Sequence, residues 1–230
     1  MPWFEAARDR CIGKAAGWLE DKLSHNLDSR IEALLIAAVD KWQQDNWCRF
    51  GKSTAKWNEV DCTVQMYRWS RECIRHESRF TLMTVRLEWI DVTPEILRGI
   101  QSVTTARRPD LRIEAGSVGR SIECKRIASA SRWVRNYVHK GLARFVTGNY
   151  GHAENSGFMI GYASGGQLPD LIARINGYIR SHPNMGSGQV VTTGRRSPPI
   201  LLGISRHARS SGRLVLSDIK ISHLLVKLDS

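Results

Sequence analysis

Apolar residues recur at helical spacing twice before residue 45. Cys11, Ile12, Ala15, Ala16, Leu19 and Leu23 form one stripe, and Ile31, Leu34, Leu35, Ala38, Val39 and Trp42 form a second. The second helix is expected to open at Ser29-Arg30-Ile31-Glu32, a capping-box pattern. The polar stretch QQDNWCRFGKSTAKW then separates these helices from the rest, giving a helical extension over 1–51 and a main domain over 52–230. A third helix is predicted from Asn58 to His76, with Cys62, Met66, Trp69 and Cys73 on one side. Strand-like text follows at Phe80–Ile90, and Thr93-Pro94-Glu95 opens a short helix. Two short strands are expected between Arg107 and Ile127, then a helix over Ser129–Val146 and a strand over Phe158–Ala163. Leu168–Arg180 reads as helix, 181–199 as a long loop, and Ile200–Ser205 and Arg213–Leu228 as strands. Helix, three strands, helix, strand with additions is an α/β order around a mixed central sheet flanked by helices.

The two strands in RRPDLRIEAGSVGRSIECKRI carry the chemistry. Strand side chains alternate faces, so Glu123 and Lys125 share one face while Ile122 and Cys124 take the other. Asp110, Arg112 and Glu114 likewise share a face. A two-residue Gly116-Ser117 turn of type II′ sets Asp110 opposite Glu123, and a Gly116–Gly119 loop sets it opposite Lys125. Either register gathers Asp110, Glu123 and Lys125 on one face. Opposed side chains lie about 5 Å apart at Cβ. Two ionised carboxylates there require a shared proton or an intervening cation. Mg²⁺ prefers such oxygen ligands, and a bridging metal with a nearby lysine supplies what phosphodiester cleavage requires. The alternative is a solvated hairpin face with no chemistry. Other acid-x-Lys pairs (Glu20–Lys22, Asp218–Lys220) and the second Pro-Asp pair, Pro169-Asp170, lack a strand–turn–strand setting.

Pro109-Asp110, thirteen residues to Glu123, then Cys124-Lys125, resembles the PD-(D/E)xK motif of restriction-endonuclease-like nucleases. The resemblance covers that motif and the α-β-β-β-α-β order over about Asn58 to Ala163. It implies a restriction-endonuclease-like core with an N-terminal helical extension. It also implies that Asp110 and Glu123 hold Mg²⁺, for which Mn²⁺ substitutes, and that Lys125 assists the attacking water. The family often adds a glutamate from the helix before the first strand. Glu59 fits that place by chain order, and Glu32, one helix earlier, competes with it. A setting in bacterial restriction or antiviral defence follows from the resemblance alone.

The net charge of +12 is concentrated in the C-terminal half, where residues 126–230 hold 14 Lys and Arg against four acids. That asymmetry favours a polyanionic partner, DNA first. Lys140 and Arg144 on the expected helix suit backbone phosphates, as do Arg195 and Arg196 within a second cluster that includes Arg206, His207, Arg209 and Arg213. The loop Gly148–Gly157, with Tyr150 and His152, reads equally as an approach to nucleic acid and as an ordinary flexible connection. Five scattered cysteines without a CxxC pair read as the reduced thiols of a cytoplasmic protein. No apolar run reaches membrane-spanning length, and no Walker or dinucleotide-binding glycine pattern points to ATP or NAD. A metal-dependent deoxyribonuclease is therefore the first expectation. A non-cleaving nucleic-acid-binding module and a basic subunit of a larger assembly are its alternatives, and double-strand cutting would favour a homodimer.

Overall fold

The computed structural model describes residues 26–45, 58–88, 108–151, 154–185, 188–196, 200–211 and 214–228. The expected first helix, the extension boundary near residue 52, the helix at Thr93, His152 and Arg213 lie outside these residues.

Helix α1 is described over 26–44 and α2 spans Glu59–His76. A seven-stranded mixed sheet follows: β1 Met83–Leu87, β2 Leu111–Ala115, β3 Val118–Ala128, β4 Ser156–Ser164, β5 Val191–Arg196, β6 Ile200–Ser211 and β7 Leu214–Lys227, in the order β1-β2-β3-β4-β7-β6-β5. The β3/β4 and β4/β7 pairs are parallel and all others antiparallel. Helix α3 joins β3 to β4 through three contiguous stretches: Ser131–Asn136 is α-helical, Tyr137–Leu142 π-helical and Ala143–Val146 α-helical. Helix α4 spans Leu168–Ser181. Among the described residues no helix is long and apolar enough to cross a membrane.

Both faces of the sheet are covered, which is why the central strands β3 and β4 are buried nearly throughout. Phe158, Ile160 and Tyr162 of β4 pack with α1 and α2, while Met159 and Ala163 pack with α3 and α4. Ile122 and Cys124 of β3 join the α1/α2 core. Glu123 and Lys125 therefore point under α3, and a solvated hairpin face is ruled out.

Three details differ from the sequence reading. Ser29 is already helical, since α1 is running at residue 26, so Ser29 to Glu32 forms no capping box. The stretch 181–199 contains β5, an edge strand whose Val191 and Thr192 pair with β6 before a register shift at Thr193, despite the flanking glycines and prolines. His207 and Arg209 are buried rather than part of a phosphate-contacting surface, whereas Arg195, Arg196 and Arg206 are exposed.

Buried polar chains tie the layers together. The Tyr137 hydroxyl donates to His223 Nδ1 (2.7 Å), His223 Nε2 to Ser205 Oγ (2.8 Å) and Ser205 to His207 Nε2 (2.8 Å), an order that satisfies each ring nitrogen involved. Burial, and then His207, hold His223 down to about 3, so it stays neutral. On the other side, Asp28 of α1 accepts from Arg120 of β3 (2.9 Å) and from Ser156 of β4 (2.8 Å), and pairs with Lys220 of β7 (2.7 Å).

Asp28→Ala leaves the Arg120 guanidinium buried without its carboxylate, a change that typically costs about 3–5 kcal/mol. Denaturant unfolding should register a loss of that order. A loss below about 1 kcal/mol would show that water replaces the carboxylate and that this cluster does not hold α1 to the sheet.

Candidate active site

Backbone pairing positions the site. The β2/β3 register pairs Leu111 with Ile122, so Asp110 faces Glu123, the outcome of the two-residue turn. Gly116 has φ 63°, as the first position of a type II′ turn requires. Because β2 begins at Leu111, no strand among the described residues lies beside the β3 edge beyond Ile122 on that side. Two carboxylates take the strand's place: Asp110 Oδ2 accepts from Cys124 N (2.7 Å), and Glu59 Oε2 accepts from Arg126 N (3.1 Å). Glu59 is held at the first turn of α2, where Asn58 and Asp61 form a reciprocal capping box.

Lys125 Nζ sits where these groups converge. It donates to Glu59 Oε1 (2.8 Å) and Cys124 O (2.8 Å), and pairs with Glu123 Oε1 (2.7 Å), which occupies all three ammonium protons. Asp110 Oδ2 lies 3.9 Å away. Arg144 of α3 reaches the same Glu123 Oε1 at 2.8 Å and also donates to the Tyr150 hydroxyl, which in turn donates to Arg108 O. Glu123 Oε2 is buried with no hydrogen-bond partner. Exposure grades outward: the side chains of Glu123, Lys125, Asp110, Glu59 and Arg144 are 0%, 10%, 29%, 35% and 42% accessible. Glu123 is thus the floor of a polar recess, and Asp110, Glu59 and Arg144 form its rim.

The close approach of α3 is a sequence effect. A Cβ on Gly141, in the π-helical stretch, would stand 2.7 Å from Met159 Cε and 3.2 Å from Lys125 Cγ, so a bare glycine lets the helix lie directly on the lysine stem.

Charge is finely balanced here. Burial pushes Glu123 up to about 7, and the neighbouring Asp110 carboxylate adds to this, against the pull of Lys125 and Arg144. Burial also raises Asp110, opposed by Lys125 and the Cys124 amide. Burial works against the Lys125 ammonium, but Glu123 and Asp110 outweigh it and hold Lys125 above its usual value. Three carboxylates face two cations, so the cluster carries an excess negative charge when fully ionised. Among the described residues no three His, Cys, Asp or Glu side chains form a ready-made metal cage. The donor set nevertheless suits a hard divalent cation: Asp110 and Glu123 are adjacent carboxylates, and Glu123 Oε2 is an oxygen lacking the partner that burial demands.

Asp110, Glu123, Lys125 and Glu59 are therefore all brought together. Glu32 is not, since it lines a separate small cavity with Leu35, Phe158 and His223. Arg144 is committed to Glu123 rather than projecting freely, while Lys140 is exposed and lies outside the recess. Arg195 and Arg196 sit on the far edge strand, five strands from β2 in the sheet. Tyr150 is buried, with its hydroxyl in the cluster rather than on a solvent loop. The sequence carries no sign of that role, because the hydrogen bonds to Arg144 and Arg108 arise only when the loop folds back. The chain has no match among protein-family models, curated proteins or solved structures.

Glu123→Gln tests the charge balance. A carboxyl whose folded value is raised contributes its stability fully below its unfolded value, about 4.5, and loses it as pH rises through about 7. The wild type should therefore lose stability relative to Glu123→Gln between pH 5 and pH 8, by up to about 3 kcal/mol from the size of the shift. Parallel stability–pH curves for the two proteins would mean that Lys125 and Arg144 keep Glu123 ionised throughout.

Proposed function

We propose that this chain is a divalent-metal-dependent nuclease that hydrolyses phosphodiester bonds in DNA, built on a restriction-endonuclease-like core. The observation that carries the reading is the buried Glu123 Oε2, which has no hydrogen-bond partner and lies in one cluster with Asp110 and Lys125. The order α2-β1-β2-β3-α3-β4 and the side-by-side carboxylates support it, as does the basic C-terminal half.

Asp110 and Glu123 are the residues that would hold Mg²⁺ or Mn²⁺. Such an ion, when bound, acidifies a coordinated water and offsets charge on phosphate oxygens. Hydrolysis forms a bond from water oxygen to phosphorus and breaks the bond to the leaving oxygen, which takes up a proton. Lys125 Nζ, beside both acids, would orient the water or stabilise charge building on the phosphoryl oxygens. Glu59 is a positioning residue: its two oxygens grip Lys125 Nζ and the Arg126 amide, which fixes the lysine against its own flexibility. Arg144 positions Glu123 by holding its Oε1.

One observation favours a second reading, a nucleic-acid-binding module that does not cut. All three Lys125 protons are already used inside the cluster, which is what a purely structural ion-pair knot would show.

Cleavage assays separate the two. Purified protein with plasmid, oligonucleotide and RNA should cut DNA in Mg²⁺ or Mn²⁺ and not in EDTA. Lys125→Met should reduce the rate by about 100-fold or more, the scale expected for removing a transition-state donor, with binding in Ca²⁺ little changed, and Asp110→Asn, which removes a metal ligand, should reduce it by at least as much. Wild-type rates in both variants would refute the site. Binding without cutting under any metal would establish the second reading.

A further inference from the structure

Outside the recess, α3 and α4 enclose a second feature. A groove of about 470 Å³ is lined by Arg132, Arg135 and Lys140 of α3, with Ser131, Asn136 and Tyr178 supplying hydroxyl and amide donors. It lies on the outer side of α3, away from the buried Tyr137, Val138, Gly141 and Leu142 that face the sheet. No acid lines it, and α3 contains no Asp or Glu along its length.

Part of the basic charge elsewhere in the chain is paired with acids. Arg75, Arg79, Arg86, Arg112, Arg120 and Arg144 each hold a carboxylate. Arg132, Arg135 and Lys140 have no ion-pair partner among the described residues, and Arg132 instead lies over the Trp133 ring at 5.1 Å. Three uncompensated cations around a concavity with neutral donors attract an anion with several oxygens.

Helix geometry links this groove to the recess. Arg132, Asn136, Lys140 and Arg144 recur every fourth residue along α3, and Arg144 ends the series on Glu123. A row at i+4 spacing drifts around an α-helix, but the π-helical Tyr137–Leu142 takes up about one extra residue per turn and keeps the row nearer to a straight line. The row spans about 18 Å as α-helix, slightly less with the π stretch, or on the order of five nucleotide steps at 3.4 Å per strand.

We propose that the α3/α4 groove is a second polyanion site, which holds backbone phosphates of the nucleic acid a few nucleotides from the bond cut at Glu123. This rests on the nuclease reading above and adds to it where the substrate strand runs. Its ligand is a chain of phosphodiesters rather than a free phosphate, because the cations are spread along the helix instead of closing around one point.

The test is the salt dependence of binding to a 20-base-pair duplex in Ca²⁺, for wild type and for a triple variant (Arg132→Ser, Arg135→Ser, Lys140→Ser). Each lost phosphate contact lowers the slope of log affinity against log salt by about 0.9, so a reduction of about 2–3 is expected. Arg135→Glu alone, checked for an unchanged melting temperature, should weaken binding at least several-fold. Inorganic phosphate at matched ionic strength should displace the duplex no better than chloride. An unchanged slope in the triple variant, with wild type binding and cutting DNA, would overturn the groove assignment and leave the nuclease reading standing. Displacement by phosphate with an unchanged slope would also overturn it, in favour of a free-anion site. A reduced slope with a wild type that never cuts would sustain the groove and remove the nuclease reading.

Discussion

The Lys125 ammonium lies among carboxylates brought from three separate parts of the chain: Glu59 at the start of α2, Asp110 just before β2, and Glu123 two residues earlier in β3. A cation at this depth is stable only because the acids surround it, and the acids tolerate their proximity only because the cation is there. The dependence fixes more than a site. It sets the height at which α2 begins, the point at which β2 gives way to a carboxylate, and the closeness of α3, which Gly141 permits. A sheet edge that would otherwise expose unpaired amides at Cys124 and Arg126 is closed by the acids that converge on Lys125.

Much of this arrangement is legible in the amino-acid sequence. Period-two alternation and the Gly116-Ser117 turn are enough to place Asp110, Glu123 and Lys125 on one face, and chain order favours Glu59 over Glu32. The depth is not legible. Glu123 looks like a surface residue until α3 is laid over it, because burial on both faces is a property of the assembled layers. Arg120 and Asp28 stand 92 residues apart and carry no local signal of their pairing. Local signals also mislead at three points. Ser29-Arg30-Ile31-Glu32 matches a capping box yet lies inside a helix that is already running, and β5 hides among glycines and prolines because its pairing with β6 outweighs composition. His207 and Arg209 look basic and exposed in sequence, but one ends a buried hydrogen-bond chain and the other binds the carbonyls of Gly151, Glu154 and Ser217.

The basic charge of the chain thus divides into two populations. Part of it is internal, as in Arg112, Arg120 and Arg209, where guanidinium forks satisfy buried acceptors and hold loops and layers in place. Another part, among it Arg132, Arg135 and Lys140 on α3 and Arg195 and Arg196 on β5, is exposed. Net charge alone would not distinguish them.

The central claim is that the recess around Lys125 accepts a divalent cation through Asp110 and Glu123. Calorimetric titration of Mg²⁺ and Mn²⁺ into wild type, Asp110→Asn and Glu123→Gln measures this directly. The account predicts one weak site per chain in the wild type and its loss in both variants. Equal binding by all three proteins, or none by the wild type, would contradict it.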